Sequence, residues 1–135
     1  MALVEAAVVV YLRALYYPAG FVMNSAADFA AIPYAILRVE LWREASTIVM
    51  LAAVGFLAFG EWRARIFTFL FAFSLWDIFY YVFLYIFIGW PQSLTTLDVY
   101  FLIPWAWIGP VWFPLVLFTL LAIVSLRFLF LVRSR

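Results

Sequence analysis

The run Ile66–Trp90 constrains this chain more than any other feature of its sequence. It contains about 25 residues, and Asp77 is its only formally charged one. At ~1.5 Å per residue, a helix of this length crosses the ~30 Å hydrocarbon core of a bilayer with some tilt. A helix pairs all of its backbone polar groups internally, which lipid requires. The run therefore predicts a transmembrane helix over residues 65–90.

Two further apolar runs, Ala45–Gly60 and Val111–Val132, predict transmembrane helices over residues 44–60 and 111–132. Only 11% of the residues are charged, against roughly 25% in soluble domains, so this chain cannot build a polar surface. We therefore predict an all-α, polytopic integral membrane helical bundle, with residues 1–135 forming a single domain in the lipid bilayer.

The N-terminal segment 2–23 has two interpretations. It is long enough to span, but it contains Glu5, Arg13 and the break Pro18-Ala19-Gly20. An interfacial helix needs a strongly charged face, which the run Ala6–Leu12 lacks. We therefore expect it to span, which gives four transmembrane helices. If it is interfacial, three remain.

The segment Leu97–Pro110 is too short to cross the membrane. Asp98 is placed to cap a short helix at Val99–Ile103, and Pro104 disfavours helical geometry at the residue before it. We interpret residues 97–109 as a re-entrant or interfacial element that does not cross.

The segment Asp28–Glu44, which precedes the second span, has an amphipathic helical pattern. Pro33 predicts a bend in it. We expect the bent helix to continue into the second span.

Arginine placement predicts the orientation. Arg63 and Arg65 lie in one short loop, Arg133 and Arg135 lie at the C-terminus, and the loop Gly89–Leu97 has no Lys or Arg. Positively charged loops stay in the cytoplasm. With four spans, both termini are cytoplasmic, and we expect a bacterial or archaeal plasma membrane.

Asp77 is the first candidate functional residue, because a charged side chain at this depth is costly. Ser74, Asp77, Tyr81 and Tyr85 follow helical spacing and form one stripe, which must face protein or a wet cavity. Asp77 could handle ions or protons in a transport path. Alternatively it could fix helix packing by pairing with Arg13 or with tyrosine hydroxyls. We favour this structural interpretation.

A second charged cluster lies at the outer mouth of the second span. Arg38, Glu40, Arg43 and Glu44 lie close together there, and Asp98 could join them from the re-entrant element. A divalent-cation or polar-headgroup site is one interpretation. We favour the other, an interfacial salt-bridge cluster in which Arg43 offsets the repulsion between the two glutamates.

Small residues and aromatics suggest how the helices pack. Ala52, Ala53, Gly55 and Ala58 allow another helix to approach the second span closely. We therefore expect that span to be central, with the third packed against it. Aromatic residues make up 23% of the chain and cover every face of the third helix, which indicates packing rather than a cofactor site.

The composition excludes several functions. The chain has no Cys and no His, so thiolate metal sites and imidazole ligation of haem are excluded, and we expect no cofactor and no metal. A net charge of +1 gives no basic patch for nucleic acid.

We expect a non-catalytic subunit of a larger membrane protein complex, which would have other membrane subunits as partners. The alternatives are a small homo-oligomeric ion- or proton-coupled transporter or channel using Asp77, and an integral enzyme acting on a lipid with a metal at Glu40, Glu44 and Asp98.

Overall fold

A computed structural model of the chain describes residues 1–22, 31–58 and 60–133. Within these residues the chain forms four helices and one two-stranded sheet. In chain order they are α1 (Ala2–Tyr16), α2 (Tyr34–Leu57), α3 (Trp62–Ile88), β1 (Leu97–Phe101), β2 (Trp107–Pro110) and α4 (Trp112–Arg133). The predicted segments that contain Met23, Asp28 and Arg135 extend outside the described residues.

The central helix is α3, which packs against α1, α2 and α4. The expectation that the second span would be central is therefore wrong. Helix α4 runs antiparallel to α3, because the Phe118 ring lies 5.3 Å from that of Phe73, whereas Phe128 stacks on Phe67 at 3.9 Å. Aromatic rings thus fill the long α3–α4 contact.

The predicted close approach of the second and third spans is present at Gly55. A Cβ atom added to Gly55 would lie 2.6 Å from the Cβ of Phe69 and 2.8 Å from the carbonyl oxygen of Arg65. Further along, Leu51 shares a buried cluster with Trp76. The two helices are therefore antiparallel. Their closest contact is possible because Gly55 has no side chain.

Helix α1 runs parallel to the second half of α3. Ala2 belongs to the cluster around Trp76, and Ala6 lies in a second buried cluster with Tyr81 and Leu84. The helix ends at Tyr16, so the prediction of one helix over residues 2–23 is wrong. Its 15 residues extend ~22 Å, less than the ~30 Å hydrocarbon core.

Two helices, α3 and α4, are long and apolar enough to cross a membrane. Four transmembrane helices are not confirmed. In α2 the uncharged part covers residues 45–57, ~20 Å of helix, and the charges of Glu40, Arg43 and Glu44 precede it. The predicted bent helix through Pro33 is replaced by one that begins just after this proline.

The segment Leu97–Pro110 is a β-hairpin, so the predicted short helix at Val99–Ile103 is wrong and the chain is not all-α. Strands β1 and β2 pair antiparallel, with Asp98 opposite Gly109 and an irregularity between Val99 and Phe101. The β-branched and aromatic residues of β1 favour a strand over a short helix.

The hairpin folds back along α3 instead of leaving the bundle. At its far end Phe101 stacks on Phe73 at 5.7 Å, while nearer its base Tyr100 stacks on Phe113 of α4 at 6.1 Å. The Tyr100 hydroxyl donates a hydrogen bond to the carbonyl oxygen of Pro110 at 2.7 Å, which closes the hairpin. The hairpin therefore reaches from the C-terminal end of α3 back to its middle.

Candidate functional site

A cavity of about 110 Å³ lies between α1, α2, α3 and β1. Seven charged side chains line it: Glu5, Arg13, Glu40, Arg43, Glu44, Asp77 and Asp98. Five of the seven acidic residues of the chain are in this set, but only two of its eight arginines. The cavity thus has more carboxylates than guanidinium groups to neutralise them.

The first charged network of the cavity centres on Asp98. Arg13 Nη2 donates to Asp98 Oδ1 at 3.4 Å, and the Tyr81 hydroxyl donates to Asp98 Oδ2 at 3.1 Å. The guanidinium carbon of Arg13 lies 3.8 Å from the ring centroid of Trp90 and 4.3 Å from that of Phe21. Aromatic faces attract a cation, so Arg13 is held by rings as well as by Asp98.

The second network centres on Arg43. Its Nε donates to Glu40 Oε2 at 2.8 Å, and its Nη1 forms an ion pair with Glu5 Oε1. One arginine is therefore shared between carboxylates of α1 and α2. The predicted role of Arg43 between Glu40 and Glu44 is present, as a direct ion pair with Glu40 and as a longer-range attraction to Glu44.

Glu44 bonds to the hairpin. Its Oε2 accepts a hydrogen bond from the backbone N–H of Leu102 at 2.9 Å, just beyond β1. A backbone N–H that is withdrawn from water needs an acceptor. Glu44 therefore anchors the far end of the hairpin to α2.

Asp77 is the unpaired carboxylate of the cavity among the described residues. Its side chain is buried at 5% exposure, and its Oδ2 has no hydrogen-bond partner within the described parts of the chain. The predicted pairing of Arg13 with Asp77 is wrong, because Arg13 bonds to Asp98. Sequence placed both groups at a similar depth, but the hairpin brings a second carboxylate to Arg13.

The predicted polar stripe on α3 is divided between two environments. Ser74, Asp77 and Tyr81 are buried, and the Ser74 hydroxyl donates to the Leu70 carbonyl oxygen of its own helix at 2.7 Å. Tyr85 is 64% exposed and does not line this cavity. In the predicted outer cluster, Arg38 is also exposed and separate from the cavity.

Burial shifts the ionisation of Asp98. Removal from water raises the pKa of Asp98 to about 6, while the nearby Arg13 guanidinium opposes this rise. The residues that the structure describes contain no group of three acidic side chains placed to share a metal ion. The metal site expected for a lipid enzyme at Glu40, Glu44 and Asp98 therefore has no support.

Sequence reasoning did not connect Glu5, Trp76 or Tyr80 with this site. Glu5 and Arg13 are eight residues apart on one face of α1, a spacing that could have linked them. Trp76 and Tyr80 also line the cavity, and they flank the predicted stripe. The even spread of aromatics along α3 gave no signal for these two.

Comparison with protein-family models, with curated proteins and with solved structures finds no match for this chain. A set of acidic groups held out of water can take up protons or bind a cation, because either neutralises charge that burial makes costly.

Proposed function

We propose that the protein is a small ion- or proton-coupled membrane transporter in which Asp77 takes up and releases the transported cation. The observation that carries the proposal is the buried, unpartnered Oδ2 of Asp77 in a cavity with excess carboxylate. The structural interpretation of Asp77 needed a pairing with Arg13 or a tyrosine. Arg13 and Tyr81 instead bond to Asp98.

Charge and depth support this role. Asp77 lies near the middle of α3, where an ionised side chain costs at least ~2.5–3.5 kcal/mol. The two arginines of the cavity already contact Asp98, Glu40 and Glu5. A proton or cation bound at Asp77 would offset the remaining cost.

We also propose which helices cross the membrane and which end of the bundle faces the cytoplasm. Helices α2, α3 and α4 cross, because three of the four charged residues of α2, Glu40, Arg43 and Glu44, line the cavity. Helix α1 and the hairpin line one half of the bundle. The Arg63 and Arg65 end of α3 is cytoplasmic in a bacterial or archaeal plasma membrane. The cavity then lies in the half of the bundle toward the outer face, and copies of the chain assemble as a homo-oligomer.

Flux through proteoliposomes tests the role of Asp77. We expect a proton gradient across vesicles containing the protein to decay faster than in empty vesicles, and Asp77→Asn to abolish the difference. Asp77→Glu, which retains the carboxylate, keeps at least part of the flux. Tyr85→Phe changes an exposed group of the same helix and is the matched control.

Two results contradict the proposal. The first is wild-type decay equal to that of empty vesicles under both proton and sodium gradients. The second is unchanged flux in a correctly assembled Asp77→Asn variant, because the carboxylate is the group proposed to carry the cation.

A non-catalytic subunit of a larger membrane complex is the second candidate. Its support is α4, of which very little is buried within the chain, so most of its apolar surface is free to meet lipid or another subunit. Native mass after mild extraction from untagged membranes separates the two candidates. A hetero-complex favours the subunit, and a small homo-oligomer favours the transporter.

A further inference from the structure

The two least exposed carboxylates of the cavity, Asp98 and Asp77, both lie next to Tyr81. The Tyr81 hydroxyl donates to Asp98 Oδ2 at 3.1 Å. Asp77 precedes Tyr81 by four residues on α3, and side chains at this spacing lie on one face with Cβ atoms ~5–6 Å apart. The charges of both aspartates act on the Tyr81 hydroxyl. The hydroxyl is therefore in contact with one carboxylate and one helical turn from the other.

The two carboxylates differ in what stabilises their ionised forms. Asp98 has the Arg13 guanidinium at 3.4 Å as well as the Tyr81 hydroxyl. Asp77 Oδ2 has no hydrogen-bond partner within the described parts of the chain. A buried anion beside a cation is stabilised, whereas one withdrawn from water without a partner is costly. A proton that both groups can bind therefore has the lower free energy on Asp77.

The surroundings of Asp77 suit a proton better than a metal cation. Metal cations such as Ca²⁺ and Mg²⁺ take several oxygen ligands, whereas a proton needs one lone pair. Glu5 and Glu40 share Arg43. Glu44 accepts a hydrogen bond from the hairpin. In the part of the chain that the structure describes, no three acidic side chains are placed to share a metal ion.

We infer that the transported cation is a proton, and that Asp98 receives it first and passes it to Asp77 through the Tyr81 hydroxyl. The inference rests on the proposed function, names its cation and adds two residues to its path. The order follows from position. Tyr81 and the base of the hairpin lie toward the C-terminal end of α3, on the outer side of Asp77 in the proposed arrangement.

Each transfer moves one proton and leaves Tyr81 neutral. The protonated Asp98 carboxyl gives its proton to the Tyr81 oxygen, while the hydroxyl releases its own proton toward Asp77 through a water molecule of the cavity. Asp77 becomes neutral, and Asp98 becomes the anion to which Tyr81 donates, as in the structure. A water molecule needs ~10–15 Å³ of such a cavity, so a volume of about 110 Å³ has room for it.

Proton flux into proteoliposomes containing the full chain tests this path. Tyr81→Phe keeps the ring and removes only the hydroxyl. We expect it to lower the Asp77-dependent flux by about tenfold or more, because a positioned proton-transfer group is lost. Asp98→Asn should lower the flux as well. Tyr85→Phe removes an exposed hydroxyl one turn further along the same helix and leaves the flux unchanged.

Infrared spectra of the same samples separate a proton path from a structural role of Tyr81. The C=O band of protonated Asp77 is identified by its loss in Asp77→Asn. This band should keep its amplitude in Tyr81→Phe, because Asp77 still takes up a proton at equilibrium when the transfer is slow. Loss of the band in Tyr81→Phe overturns the inference, and so does flux in this variant equal to that of the unaltered protein.

Failure of the inference is distinguishable from failure of the proposed function. Flux that depends on Asp77 and is driven by a sodium gradient, but not by a proton gradient, keeps the transporter and overturns the proton. Proton flux that depends on Asp77 but not on Tyr81 or Asp98 keeps the transporter and overturns the path. Absence of flux in the unaltered protein under either gradient overturns both.

Discussion

Among individual residues, the ion-pair partner of Arg13 determines which carboxylate of the cavity remains unpaired. Helical spacing and depth identified Asp77 and Arg13 as buried charged groups, and both line the same cavity. Their pairing could not be predicted, because depth along a helix does not give the direction in which a side chain points. Arg13 bonds to Asp98, a residue interpreted from sequence as a helix cap.

Asp98 makes stability depend on pH. Burial raises the pKa of Asp98 from its ordinary value of 3.8 to about 6, so the folded protein holds this proton more tightly than the unfolded chain. The stabilisation from this proton is complete below about pH 4 and is lost as the pH rises through about 6, a change of up to about 3 kcal/mol. Thermal unfolding in detergent should therefore show a falling midpoint across this range.

Asp98→Asn should make this fall smaller, because the variant has no proton to lose at this position. Tyr81→Phe provides a second check. The Tyr81 hydroxyl stabilises the ionised form of Asp98, so removing it should move the transition to higher pH. If the unfolding midpoint of Asp98→Asn falls with pH as steeply as that of the unaltered protein, the prediction is wrong.

At the element scale, hydropathy located the long helices and failed on the short apolar segments. A run of alternating or mixed apolar residues near proline is compatible with either a short helix or a strand. The segment after Leu97 forms a strand because it pairs with Trp107–Pro110, a contact that local sequence does not specify. The small residues of α2, in contrast, correctly predicted a close approach to α3.

The hairpin depends on Glu44. We expect Glu44→Leu to speed hydrogen–deuterium exchange at the Leu102 amide, because that N–H loses its acceptor, at a cost of about 1–3 kcal/mol. Glu44→Gln keeps an acceptor oxygen and should have a smaller effect. Arg38→Gln, exposed on the same helix, is the control. Unaltered exchange at Leu102 in Glu44→Leu would show that the hairpin does not need this anchor.

Gly55→Ala should destabilise the bundle by about 1–3 kcal/mol, since the added methyl group must push α2 away from α3. The position allows little adjustment, because the nearest atoms are backbone and Cβ atoms of α3. Ala53→Val, on an exposed part of α2, adds volume without this clash. Equal unfolding midpoints for Gly55→Ala and the unaltered chain would mean that the helices do not pack this closely.

At the scale of the whole molecule, sequence predicted the two long apolar helices and their approximate bounds. The third and fourth helices, expected over 65–90 and 111–132, are Trp62–Ile88 and Trp112–Arg133. Sequence did not predict which helix is central or which charged groups share a cavity. Both depend on contacts between segments far apart in the chain, such as Arg13 with Asp98, and hydropathy reports only the environment of each segment.

The orientation of the protein in the membrane can be tested by cysteine labelling. The chain has no Cys, so single cysteines can be introduced without background labelling. Because α3 separates Glu61 from Gln92, an impermeant maleimide should label Gln92→Cys in intact cells and Glu61→Cys only after the membrane is opened. The reason is that Arg63 and Arg65 would keep their end of α3 in the cytoplasm in the proposed arrangement.

Labelling of both positions from the same side contradicts a transmembrane α3, and with it the depth assigned to Asp77. If Glu61→Cys is labelled in intact cells and Gln92→Cys only after the membrane is opened, α3 still crosses the membrane, but the cavity faces the cytoplasm. In that case the transported cation would enter the cavity from inside the cell. In the proposed arrangement, the direction of access to Asp77 therefore follows from the arginines at the opposite end of its helix, and not from the residues of the cavity.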